Sequence, residues 1–180
     1  MSKAIALKPV EMTPELMEEL EQRGLIIRLA PGRHELPAAV GENRWEAIYR
    51  SAERFGPHML ITVSVNATDI LEFGTHGDNE EFLLLGSPAA KPLFLVIALC
   101  SQRETEAKAR EGRLSAEDFV CLRVAFNDPE VSFFTMRAGV PHGEAVGAGE
   151  GRPASFYVAE PRDLETELTD LAGIRLAIEE

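Results

Sequence analysis

The sequence predicts a mainly β protein, a compact barrel of two apposed antiparallel sheets with short helices near the termini. Three observations carry that prediction. Short runs of β-branched or alternating apolar residues recur at 59–65, 70–73, 81–85, 93–100, 119–126, 131–136 and 154–158. Gly, Pro, Asn and Asp separate most of these runs, which is the punctuation of a sandwich or barrel. The composition, 45% hydrophobic and 27% charged over 180 residues, is that of an ordinary globular chain and suits one domain.

Within that single domain, 1–180, the pattern divides into an N-terminal strand and helix (1–30), a barrel core (56–160) and a C-terminal helix (161–180). Ile5, Leu7 and Val10 mark the first strand. Thr13 is placed to cap a helix, with Pro14 at its first position and Glu15, Glu18 and Glu19 near the positive end of its dipole. Leu16, Met17 and Leu20 give that helix a narrow apolar stripe, and Gly24 is a stop signal. Leu25-Ile26-Ile27 then predicts a strand running into a turn at Pro31-Gly32. The segment 44–54 fits one or two helical turns or an edge strand. Residues 101–113, dense in charge, fit a solvated loop or an exposed short helix. In the tail, Leu164, Leu168 and Leu171 stand at helical spacing. Phe82, Leu84, Phe94, Val96, Val124, Phe126, Phe133 and Phe156 are the expected core.

Eighteen basic against thirty acidic residues leave a net charge of −12. Such a surface repels phosphate, so neither nucleic acid nor an anionic membrane is an expected partner. The strongest apolar run, 92–100, is far short of the roughly 20 residues that a bilayer helix needs. The opening MSKAIALKPVEM has no apolar stretch followed by a small-residue cleavage site, so no export signal is expected. Cys100 and Cys121 lie in apolar runs without CxxC spacing, which predicts two buried thiols in a reducing cytoplasm.

Four histidines are candidates for chemistry. His34 and His58 adjoin Pro-containing turns and are expected at the surface. His76 opens a cluster with Asp78 and Glu80, and alternation along a strand can turn all three to one side. An imidazole beside two carboxylates suits a metal site or acid–base work. His142 lies in Arg137-Ala-Gly-Val-Pro-His142-Gly-Glu144, a tight turn at a strand end.

The early histidine and acidic cluster closing on Gly86, followed by Gly-Val-Pro-His142, resembles the two motifs of the cupin superfamily, the double-stranded β-helix barrels. In cupins the first motif supplies two histidines and a glutamate, the second a further histidine, and together they hold one divalent metal. His76 matches the leading histidine and His142 the later one. Asp78 stands where the motif has its second histidine, and Glu80 or Glu81 stands for the glutamate. Within the superfamily the chain most resembles the bacterial ureidoglycolate lyase (ureidoglycolate hydrolase) family. The likeness is carried by Leu7-Lys8-Pro9-Val10 with Thr13-Pro14-Glu15, by Glu72-Phe-x-x-His76 through 92–99, and by Arg137-Ala-Gly-Val-Pro-His142. Pro141 replaces that family's tryptophan, Gly143 the second histidine of a pair, and Glu80 a glutamine.

The resemblance implies a lyase of purine (allantoin) catabolism that releases urea and glyoxylate from ureidoglycolate or a related ureido or hydroxy acid. Such an elimination needs a base for the carbinol hydroxyl proton, an acid or metal to help the ureido nitrogen leave, and a cation for the carboxylate. His76, His142 and Glu80 are the expected catalytic residues. His76, Asp78, Glu80 and His142 are the expected ligands of a divalent metal (Zn, Mn, Fe or Ni). Arg44 or Arg137 is the expected carboxylate clamp. A small-molecule substrate and a homodimer complete the expectation. The alternatives are a non-catalytic cupin that binds a small polar metabolite, and a metal-dependent isomerase or dioxygenase.

Overall fold

The computed structural model describes residues 3–28, 58–65, 69–70, 73–76, 93–124, 131, 134–143, 145–147, 154–161 and 165–179; for 58–65, 69, 147 and 154–161 it describes the backbone alone. The chain is mainly strands. In order they are β1 (Ala4–Leu7), β2 (Val10–Glu11), helix α1 (Pro14–Gln22), β3 (Ile26–Arg28), β4 (His58–Val65), β5 (Asp69–Ile70), β6 (Phe73–His76) and β7 (Leu93–Ala98). There follow helix α2 (Gln102–Arg110), a 3-10 turn at Ala116–Asp118, β8 (Phe119–Arg123), β9 (Phe134–Met136), β10 (His142–Gly143), β11 (Val146–Gly147), β12 (Ala154–Pro161), β13 (Thr166–Leu168) and β14 (Arg175–Ile178).

A seven-stranded sheet organises the described residues, in the order β13-β6-β10-β7-β8-β2 with β11 also on β7. Its spine, β7, is buried at all six positions, as a strand covered on both faces must be. Alternation sorts its side chains into two cores. Leu93, Leu95 and Ile97, with Leu122 and Val124, face Met17 and Leu20 of α1, Ile26 of β3, and Phe134 and Met136 of β9. Phe94, Val96 and Ala98, with Phe119 and Cys121, face Ile5 and Leu7 of β1, Ile70 of β5 and Leu176 of β14. The covers are small sheets of their own, β1-β14-β5 on the second face and the antiparallel pair β3-β9 on the first; β4 and β12 form a further antiparallel pair eight residues long. Among the described residues these strands form separate sheets, with no closed barrel.

Helix α1 follows the sequence closely. The Thr13 hydroxyl accepts from the Leu16 N–H, Pro14 begins the helix, and Gly24 (φ +73°) leaves it in the left-handed region. The segment 101–113 resolves as α2, closed by a Ser101/Glu104 capping box and seated on buried Thr105 and Ala109. Among the described residues, the second helix thus lies mid-chain rather than near a terminus. Residues 70 and 73 belong to two strands in different sheets, β5 and β6, instead of one.

The expected C-terminal helix at 161–180 is incorrect. Pro161 ends β12, and the tail goes on as β13 and β14, divided by a tight turn. Ala172 (φ +52°) and Gly173 (φ +73°) both take the left-handed region, the signature of a type I′ turn, closed by the Ile174 N–H on the Leu171 carbonyl at 3.0 Å. Two successive left-handed residues end any right-handed helix. Of the expected core, Phe94, Val96 and Val124 are buried; the side chains of Phe82, Leu84, Phe126, Phe133 and Phe156 lie outside the described residues, as does the segment 44–54.

Candidate functional site

Two short strands place the two histidines. On β6, alternation puts Phe73 and Thr75 on one face and Gly74 and His76 on the other. Phe73 is anchored in the second core, edge-on to Phe119 with centroids 5.7 Å apart, so His76 must face the first core. A slip of one residue would exchange the two faces, putting the imidazole into the second core and the phenyl ring into the first. On β10, His142 lies opposite Gly74 across one edge and Ile97 across the other, which gives it the same face as His76. Gly143 takes the opposite face, where a Cβ would come within 2.8 Å of Ile70 Cγ2.

The turn before β10 ties the two strands together. Residues 137–140 form a turn with Gly139 at φ +75°, the third position of a type II turn, closed by the Val140 N–H on the Arg137 carbonyl. The Gly139 N–H donates to the His76 carbonyl at 2.9 Å, and the Pro141 carbonyl accepts from the Ala98 N–H at 2.8 Å. The backbone that carries one histidine is therefore bonded to the other.

The result is a diagonal cross-strand pair: the His76 and His142 ring centroids are 5.0 Å apart, with planes inclined at 58°. Both residues are at least nine-tenths buried, at 9% and 7% exposure. His142 Nδ1 stands 2.9 Å from the Val140 carbonyl; because a carbonyl only accepts, this nitrogen carries a proton, and in the neutral ring the lone pair is on Nε2. His76 Nδ1 lies 3.4 Å from the Glu165 carbonyl and 3.3 Å from Thr166 Oγ1. Two imidazoles at this spacing suit a proton relay, or two ligands of one borderline ion at about 2.1 Å from each nitrogen.

Of the other expected site residues, Arg137 is in the turn before β10, where its side chain is exposed and its N–H donates to the Leu25 carbonyl. Asp78, Glu80, Glu81 and Arg44 lie outside the described residues, as do His34 and the His58 side chain. Among the described residues, no third His, Cys, Asp or Glu joins the pair. Both thiols are free: Cys121 is buried and its pKa is pushed up to about 12 by desolvation, while Cys100 is half-buried beside Thr105 Oγ1. A cleft of about 330 Å³ lined by Leu7, Lys8, Glu117, Phe119 and Cys121 opens on the opposite face of the sheet, away from the histidines.

Sequence reasoning missed Thr166, Glu165 and Val140, which surround the imidazole nitrogens. The tail did hold a signal: Ile174, Leu176 and Ile178 alternate behind Asp170-Leu-Ala-Gly173, which is strand spacing after a turn. No helix of the described residues is long and apolar enough to cross a membrane. No protein-family model matches the chain, and no curated protein matches it.

Proposed function

We propose that this chain is a cupin-type lyase that cleaves ureidoglycolate, or a related ureido or hydroxy acid, to glyoxylate and urea, with His76 and His142 as its acid–base pair. The observation that supports this reading is the meeting of two imidazoles, distant in sequence, on one buried face at 5.0 Å. Burial of a polar pair is costly unless the groups are hydrogen-bonded, and here both rings are. In the reaction, one imidazole takes the proton of the carbinol hydroxyl. The oxygen lone pair forms the aldehyde carbonyl as the C–N bond breaks, and the electron pair leaves on the ureido nitrogen. A proton delivered to that nitrogen completes urea. An imidazole, which can take up a proton and give one back, suits both transfers.

The donor chemistry also fits a divalent ion, which His76 and His142 would hold together with Asp78 and Glu80, and which would serve as a Lewis acid toward the substrate's oxygen atoms. Arg137 or Arg44 would receive the carboxylate, since a guanidinium fork matches its two oxygens.

Urea release from ureidoglycolate tests the reading. Activity is expected in the wild type, and His76→Ala or His142→Ala should lower kcat by about 100-fold or more, the usual worth of a general acid or base. Folded protein that binds ureidoglycolate without releasing urea would instead make this a metabolite-binding site. Turnover of an aldose or of an oxygen-dependent substrate would make it an isomerase or dioxygenase.

A further inference from the structure

The lyase reading assigns no part to the C-terminal tail. We propose that β13 is the positioning element for His76, with Thr166 as a positioning residue and the Glu165 carbonyl as the acceptor that selects the ring's tautomer. Thr166 lies directly opposite His76 in the β13–β6 ladder. Its hydroxyl is 3.3 Å and the preceding carbonyl 3.4 Å from the same ring nitrogen, Nδ1. The strand is also held close: at Gly74 a Cβ would meet the Glu167 carbonyl at 2.9 Å and Thr166 Cγ2 at 3.1 Å. Only glycine at that position lets β13 approach β6 this tightly.

The chemistry follows from what each atom can do. A carbonyl oxygen accepts and never donates, so the nitrogen facing it carries the hydrogen. A hydroxyl can play either part; beside the carbonyl it accepts from the same N–H, and at 3.3 and 3.4 Å neither acceptor holds that hydrogen strongly alone, so loss of the hydroxyl weakens the preference. His76 is thereby set as the Nδ1–H tautomer, with its basic lone pair on Nε2. The Val140 carbonyl, 2.9 Å from His142 Nδ1, imposes the same choice on the second ring. Two unrelated elements, the C-terminal edge strand and the turn before β10, thus set both imbedded rings in the form that is the minor one for free histidine in water. An outer-shell carbonyl on one ring nitrogen is the common arrangement for working histidines. This concerns the rings themselves and holds for any reaction or ligand of the pair.

Nitrogen-15 NMR of the protein tests it, at a pH where the spectra themselves show neither ring as an imidazolium. In the wild type His76 Nδ1 should show the shift of a protonated nitrogen and Nε2 that of an unprotonated one. In Thr166→Val, which keeps the shape and the strand preference, the two shifts should move toward each other as the tautomers mix. Thr166→Ser, which restores the hydroxyl, should return them to wild-type positions, with His142 unchanged throughout. A wild-type His76 protonated at Nε2 would overturn the proposal. So would a Thr166→Val protein with wild-type shifts at His76, or one whose changes spread equally to His142, which would make Thr166 merely structural. Failure to release urea leaves this spectrum unaffected, so the two readings fail separately.

Discussion

At the scale of single residues, two backbone positions show what the turns cost. Ala172 sits at φ +52° with its N–H on the Asp170 carboxylate at 2.8 Å, an Asx turn forced through a residue with a Cβ. The left-handed conformation costs an L-residue roughly 1–2 kcal/mol, part of which glycine loses again through the freedom it gains when unfolded. Ala172→Gly should therefore stabilise the protein by about 0.5–1 kcal/mol, read as a higher denaturant midpoint at unchanged slope; a lower midpoint would mean that the turn is not under strain. Gly143 presents the opposite case. A methyl group there must displace Ile70 Cγ2 from 2.8 Å and Cδ1 from 3.2 Å. Because Gly143 adjoins His142, Gly143→Ala should cost about 1–3 kcal/mol and also shift the His142 ring signals in NMR. A wild-type melting temperature with unmoved signals would show that Ile70 simply turns aside.

At the scale of elements, legibility followed locality. Helix α1 could be read because its instructions lie within one turn: a threonine cap, a proline at the first position, an apolar stripe and a terminal glycine. Strand β7 could be read from six consecutive apolar residues, and its partner β8 from Phe119-Val-Cys-Leu. The tail could not, because three leucines at helical spacing outweighed the left-handed pair at 172–173, and because β13 and β14 gain their stability from β6 and β1, far away in sequence. The histidine pair was legible as two motifs, whereas the support of their nitrogens by backbone carbonyls was not, since any residue type can supply a carbonyl. The junction of α2 with β8 gives a prediction in pH. Burial alone would raise the Asp118 pKa, but hydrogen bonds from Lys108 and from the Ser115 N–H outweigh it and hold the carboxyl below its ordinary value of 3.8. A pKa depressed by folding gives stability that is fully present above the unfolded value and lost as pH falls through the folded one. Asp118→Asn should thus cost about 1 kcal/mol at neutral pH, as the loss of a cap and a half-exposed ion pair would. The cost should shrink on acidification below pH 3.8. Melting curves across that range check it, and a penalty constant with pH would remove Asp118 as the source.

At the scale of the whole molecule, the chain's two ends are folded into one another. β1 and β14 pair in parallel over four residues, and the Leu176 side chain, wholly buried, packs in the same core as Ile5, Phe94, Val96 and Cys121. That core backs the sheet whose other face carries His76 and His142, so the tail supports the candidate site twice: through β13 beside His76, and through β14 behind the sheet. Cys121 offers an internal gauge of this coupling. With its pKa near 12 it is a thiol at neutral pH, and although it lines the cleft beside Leu7 and Phe119, its 4% exposure keeps a bulky alkylating agent from the sulfur until the surrounding core opens. Leu176→Ala should destabilise the fold by about 2–4 kcal/mol. If the second core opens only as part of cooperative unfolding, the Cys121 alkylation rate should rise about 30-fold or more, following the full loss of stability at 1.4 kcal/mol per factor of ten. Cys100, half-buried at the start of α2, should change less. A Cys121 rate that ignored a measured loss of that size would mean that the core opens locally, and that the C-terminal strands and the spine of the sheet are separate cooperative units.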